Sequence, residues 1–126
     1  MIVATPEPGG WRTRLDNGRD TARADTGPGG EGFSPHELLE AALASCMSMT
    51  VRMVAERRGI ALADVTVRVW LDRCHPGAPV YDYEVALSGA LSAIERRVLL
   101  AAAARCPVRR TLDATATFRE HDAGPG

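Results

Sequence analysis

The sequence predicts an α+β domain. A long apolar helix pattern opens at Ser34 behind a capping signal, and a second capping signal at Ser92 opens an Ala/Leu-rich helix. Between them, Val65 to Arg73 and Tyr81 to Leu87 alternate apolar and polar residues, the mark of strands with one core face. The 126 residues fit one domain over 1–126, with 1–10 and 121–126 expected to be loosely ordered.

Taken in order, the Pro/Gly-rich start leads toward a first strand. Trp11 to Leu15 and Thr21 to Asp25 read as two short strands joined through Asp16-Asn17-Gly18, because Asn-Gly favours a hairpin turn. Thr26 to Gly32 reads as a flexible loop. Ser34-Pro35-His36-Glu37 is a capping box, with Pro35 at the first helical position and Phe33 and Leu38 placed as a hydrophobic staple. Leu38, Ala42, Cys46, Met49 and Met53 follow at helical spacing as one apolar face; Leu39, Leu43, Met47 and Val54 form a second row. A helix apolar on two rows is expected to be central and buried. Arg57-Arg58-Gly59 ends it with cations at the negative end of the dipole and a glycine for the left-handed cap.

Val65, Val67, Val69 and Leu71 share one strand face, and His75 to Pro79 turns the chain into the returning strand. The Ser92 capping box opens a helix to about Arg105. Cys106-Pro107 begins a new element, since proline disfavours helix at the preceding residue. Leu112, Ala114, Ala116 and Phe118 alternate with Asp113, Thr115 and Thr117 and predict a last strand.

Composition excludes several classes. Net charge is −1 with no basic stripe, so no nucleic-acid partner is expected. No stretch reads as the ~20 consecutive apolar residues of a membrane span, and Met1 to Gly10 lacks the pattern of a signal peptide. Three widely spaced cysteines point to a reducing, cytoplasmic compartment rather than a secreted disulfide framework.

Chemistry could reside in the thiols. Cys46 lies mid-helix among methionines, where a small buried core residue is the plain reading. Cys106 would be the N-cap of a short helix, where free amides, the dipole, Arg109 and Arg110 favour a thiolate; a turn cysteine is the equal alternative. Cys74, beside His75 at a strand end, reads as incidental. A metal module built from these cysteines and the histidines is a weaker reading, since no pair has ligand spacing.

The run Phe33-Ser34-Pro35-His36-Glu37-Leu38-Leu39-Glu40-Ala41-Ala42-Leu43-Ala44-Ser45-Cys46 resembles the first-cysteine helix of the OsmC/Ohr family, the osmotically induced and organic-hydroperoxide-resistance proteins. Ala104-Arg105-Cys106-Pro107-Val108 resembles the family's second-cysteine motif, and the element order between them is similar too. The resemblance implies an OsmC-like fold, with antiparallel sheets around long central helices in an intertwined homodimer. It implies a cysteine-based peroxidase reducing organic hydroperoxides in oxidative-stress defence, without a bound cofactor. Cys46 would be peroxidatic and Cys106 resolving, and a dithiol, of lipoyl type in some members, would restore both. The family's hydroperoxide branch adds an Arg and a Glu. Arg19 is the candidate Arg, with Arg12, Arg14 and Arg23 competing. His36 stands where that branch has its Glu, so Glu37, the next residue, is the candidate in its place. The alternative is a non-enzymatic OsmC-like dimer that binds an apolar small molecule.

Overall fold

The computed structural model describes residues 1–124. Strands β1 (Val3–Pro6), β2 (Thr13–Asp16) and β3 (Thr21–Ala24) form an antiparallel sheet in the order β1-β2-β3. The hairpin expected at Asn17-Gly18 is present, closed by Asp16 opposite Thr21. Asn17 Oδ1 accepts the amides of Arg19 and Asp20 at 2.9 and 2.8 Å. Residues 1–10, expected to be loosely ordered, instead contain β1, because Val3 to Pro6 find a ladder partner in Thr13 to Asp16. Of the expected loose tail, 121–124 carry no regular structure, while 125 and 126 lie outside the described residues.

Helix α1 (Pro35–Arg58) is bounded as its caps dictate. The Ser34 amide donates to Glu37 Oε2 at 2.9 Å, and the Glu37 amide donates to Ser34 Oγ at 3.2 Å. At the far end Gly59 adopts φ 63°, and its amide closes onto the Ala55 and Glu56 carbonyls. A side chain here would be strained, which is why glycine terminates the helix. By length and composition α1 could span a membrane, contrary to the sequence expectation. Glu37, Glu40 and Arg52 interrupt the run and hide it from a residue-by-residue reading.

Strands β4 (Leu62–Asp72) and β5 (Val80–Gly89) form a second antiparallel sheet, with α1 packed across β4. Val65, Val67, Val69, Val85 and Leu87 lean on the core, as their alternation requires. Leu71 N–H donates to Glu40 Oε2 at 3.3 Å, a polar tie between strand and helix. A register shift between Leu62 and Asp64 brings the backbone against Gly89, where a Cβ would meet the Ala61 carbonyl oxygen at 2.4 Å.

Helix α2 (Ala93–Ala103) starts at the predicted Ser92 capping box and packs on α1. Helix α3 (Pro107–Asp113) follows at once. The core comprises Leu43, Met47, Val51 and Ala55 of α1, with Leu99, Ala103 and Cys106. Fully burying such a Leu, Met or Val side chain contributes about 1.5–3 kcal/mol.

Two expectations are corrected. Within this chain only part of the α1 surface is buried: the row Leu43, Met47, Val51, Ala55 faces the sheet. The row through Cys46 is largely open, with Met49 48% and Met53 52% exposed. The predicted last strand is absent: Leu112 and Asp113 complete α3, and 114–123 form no strand. Alternation supplies a face but not a ladder partner, and none is offered to this segment among the described residues.

Candidate functional site

Cys46 sits three turns into α1, half-buried, and packs against the core that contains Cys106. Its carbonyl accepts Thr50 Oγ1–H at 2.8 Å, the ordinary back-bond of a helical threonine. Cys106 is placed by the break between α2 and α3. Ala104 caps α2, the Cys106 amide donates to the Ala103 carbonyl at 3.2 Å, and Pro107 takes the first position of α3. This makes Cys106 an N-cap, as the sequence indicated, with its sulfur accepting the Arg109 amide at 3.4 Å. Arg109 Nη1–H donates to the Ala104 carbonyl at 2.9 Å and latches α3 to the end of α2. Sequence reasoning gave Arg109 only a charge role; its positioning role depends on the α2–α3 corner, which spacing alone does not display.

The two thiols, sixty positions apart in sequence, are neighbours: Cys46 packs against the cluster that contains Cys106 and lies close enough to influence its ionisation. Cys106 is 0% exposed. Burial is the main influence on it and pushes its thiol above the ordinary value. The Arg109 and Val108 amides pull the other way, while the neighbouring Cys46 thiol adds to the rise. Burial therefore opposes the N-terminal thiolate considered from the sequence. A seven-residue helix offers its amides, but desolvation outweighs them.

A cavity of about 260 Å³ opens between α1, β5 and α3, and it shares Arg109, whose amide bonds the Cys106 sulfur. Leu43, Val80, Tyr81, Tyr83, Arg109 and Leu112 are among its lining residues. Its lining mixes apolar side chains with the Arg109 guanidinium and the Asp113 carboxylate, so it can receive a small organic molecule.

The other candidates are not drawn to the pair. Cys74 is exposed, its amide donates to Asp72 Oδ1 at 2.8 Å, and the Asp72 carboxylate raises its thiol. Glu37 has its carboxylate engaged by the cap amide. Arg19 lies at the exposed tip of the β2–β3 hairpin, and its side chain has no hydrogen-bond or ion-pair partner among the described residues. The sheet that carries it makes no extensive contact with the helices. Of the competing arginines, Arg12 is the most enclosed. It donates to Glu31 Oε2 at 3.3 Å and to the Pro8 carbonyl at 2.9 Å, and its buried Nε has no partner. Among the described residues no three His, Cys, Asp or Glu side chains converge as metal ligands.

A family model described as OsmC-like protein matches residues 27–121. No match to a curated protein was found. The fold is similar to that of an OsmC-like protein from Mycoplasma pneumoniae, with TM-score 0.77 and 20% identity over 89% of this chain and 85% of that one. It is also similar to the organic hydroperoxide resistance protein OhrB of Bacillus subtilis, with TM-score 0.62 and 20% identity over 90% of each chain. An organic hydroperoxide resistance protein from Elizabethkingia anophelis gives 0.60 and 21%, over 90% of this chain and 88% of that one. At these identities the likeness is one of fold.

Proposed function

Because the chain belongs to the OsmC-like protein family, we propose that it is a cytoplasmic thiol peroxidase that reduces organic hydroperoxides through Cys46 and Cys106. The observation that carries this reading is the packing of Cys46 against the core cluster that contains Cys106, at the junction of α1 and α3. The Cys46 thiolate attacks the outer peroxide oxygen, the O–O bond breaks, and the alkoxide leaves as an alcohol after taking a proton. Cys46 becomes a sulfenic acid. The Cys106 thiol then attacks that sulfur, water leaves, and a disulfide joins the pair. An external dithiol, of lipoyl type in this proposal, reduces the disulfide by two exchanges. Burial that holds the Cys106 proton more tightly leaves Cys46 as the thiol that meets peroxide first.

The working form in this proposal is an intertwined homodimer. Two features favour it. The Cys46 row of α1 is apolar yet open, and the alternating segment 114–118 lacks a partner strand. A second copy could cover the first and pair with the other. Arg19 is the proposed cation for the Cys46 thiolate, and it would reach the site only when its sheet docks against helices, as dimerisation would allow. Glu37, engaged by the cap, would orient that arginine only indirectly.

The cysteine variants test the assignment. Cys46→Ser abolishes hydroperoxide consumption. Cys106→Ser permits one turnover and leaves a sulfenic acid on Cys46. Cys74→Ser retains nearly the full rate. A Cys74→Ser variant as inactive as Cys46→Ser would overturn the assignment.

A further inference from the structure

A second cleft lies between the C-terminal half of α1 and the facing side of α2. It encloses about 280 Å³ and is lined by Val54, Arg57, Arg58, Val98, Ala102 and Arg105. None of these residues lines the cavity that contains Arg109. We propose that this cleft binds a small organic anion. Its carboxylate or phosphate sits among Arg57, Arg58 and Arg105, and its alkyl body lies on Val54, Val98 and Ala102.

The charge pattern is the first argument. Three arginines, two from the last turn of α1 and one from just past the α2 cap, line one cavity, and none has an ion-pair or side-chain hydrogen-bond partner among the described residues. Gathering like charges is unfavourable, and more so the closer they stand. An oxyanion reverses the sign of that interaction, and the planar fork of Arg matches a carboxylate or phosphate in bidentate fashion. Arg57 and Arg58 also stand in the last turn of α1, where the helix dipole favours cations. That effect is met with the side chains pointing anywhere over the turn. It does not call for a third arginine, from beyond the cap of α2, at the same cavity.

The floor is the second argument. Val54, Val98 and Ala102 are apolar, and an adjoining cleft that shares Arg58 and Val98 continues the floor to Ile60 and Ile94. Glu95, the carboxylate in that second cleft, is held by the Ser92 amide at 2.9 Å as part of the α2 cap. It does not neutralise the arginines in the structure. A cationic end joined to an apolar trough fits an amphiphile with one anionic head.

The proposal is tested by calorimetric titration of the full chain with decanoate, decyl phosphate, inorganic phosphate and decanol. Decanoate or decyl phosphate binds, and the stronger of the two identifies the head group. Inorganic phosphate and decanol each bind at least roughly tenfold more weakly than that ligand. Arg58→Gln and Arg105→Gln each lower its affinity by roughly tenfold. Arg58→Lys restores part of the loss, and Arg97→Gln, on α2 outside the cleft, leaves affinity unchanged. Circular dichroism verifies that each variant is folded. Equal binding of decanol and decanoate would overturn the anionic site, and equal binding of inorganic and decyl phosphate would overturn the apolar trough. Affinity unmoved by the Arg58 and Arg105 substitutions, or lowered as much by Arg97→Gln, would show that the cleft is not the site.

Discussion

Cys106 shows how a residue's chemistry is decided by two opposed influences of different reach. Its N-cap position was legible in Cys106-Pro107, because proline both ends one helix and starts the next. Its burial was not, since that depends on α1 lying across the corner. Desolvation outweighs the local amides, so the thiol holds its proton more tightly. This has a consequence for stability. In the unfolded chain the thiol ionises near its ordinary value, roughly 8.5, while in the folded chain it ionises only at higher pH. The folded protein therefore holds more protons in the interval between the two values, and stability falls as pH rises through it. The urea midpoint of reduced wild-type protein should decline above the ordinary thiol range, and Cys106→Ala should lessen that decline. An identical pH profile in the variant would contradict this assignment. The role of Arg109 was hidden for a related reason: its bond to the Ala104 carbonyl exists only once the α2–α3 corner has formed.

Among the elements, α1 was the most legible. Both of its ends are written in short-range chemistry: the Ser34 box, Pro35, and the Arg57-Arg58-Gly59 stop. Which row faces the sheet was not legible, because apolar residues occur on two rows and periodicity does not choose between them. Val51 and Ala55, absent from the expected rows, complete the buried stripe with Leu43 and Met47. Truncating Met47 to Ala should destabilise the protein by about 2–5 kcal/mol, read as a lower urea midpoint. Ser34→Ala should cost about 1 kcal/mol through loss of the cap. A Met47→Ala cost below that of Ser34→Ala would contradict the assignment of the core face. The missing last strand has the converse cause: alternation from Leu112 to Phe118 describes a potential strand, but a strand also needs a neighbour, and α3 claims its first two residues.

For the whole molecule, the antiparallel sheets and helices were legible in element order, whereas contacts between copies cannot be written in the pattern of one chain. The open Met49 and Met53 row predicts a stable dimer at micromolar concentration in sedimentation. Met53→Glu should weaken it by placing a charge in a desolvated contact. A folded wild-type monomer under those conditions would remove the dimer. If Cys46 meets the peroxide as proposed, its apolar neighbours Met49 and Met53 predict a substrate preference. Each buried methylene contributes about 0.8 kcal/mol, so kcat/KM should climb from hydrogen peroxide through tert-butyl to cumene hydroperoxide. A flat series would remove the apolar-pocket argument.

The central claim is that Cys46 and Cys106 form one redox pair, and its most direct test is peptide mapping after a single oxidation. Reduced protein would be treated with one equivalent of cumene hydroperoxide, quenched with an alkylating agent, digested without reductant and analysed by mass spectrometry. The account predicts stoichiometric loss of peroxide, a disulfide linking the Cys46 and Cys106 peptides, and Cys74 alkylated as a free thiol. Unconsumed peroxide with all three cysteines alkylated, or a disulfide that includes Cys74, would contradict it.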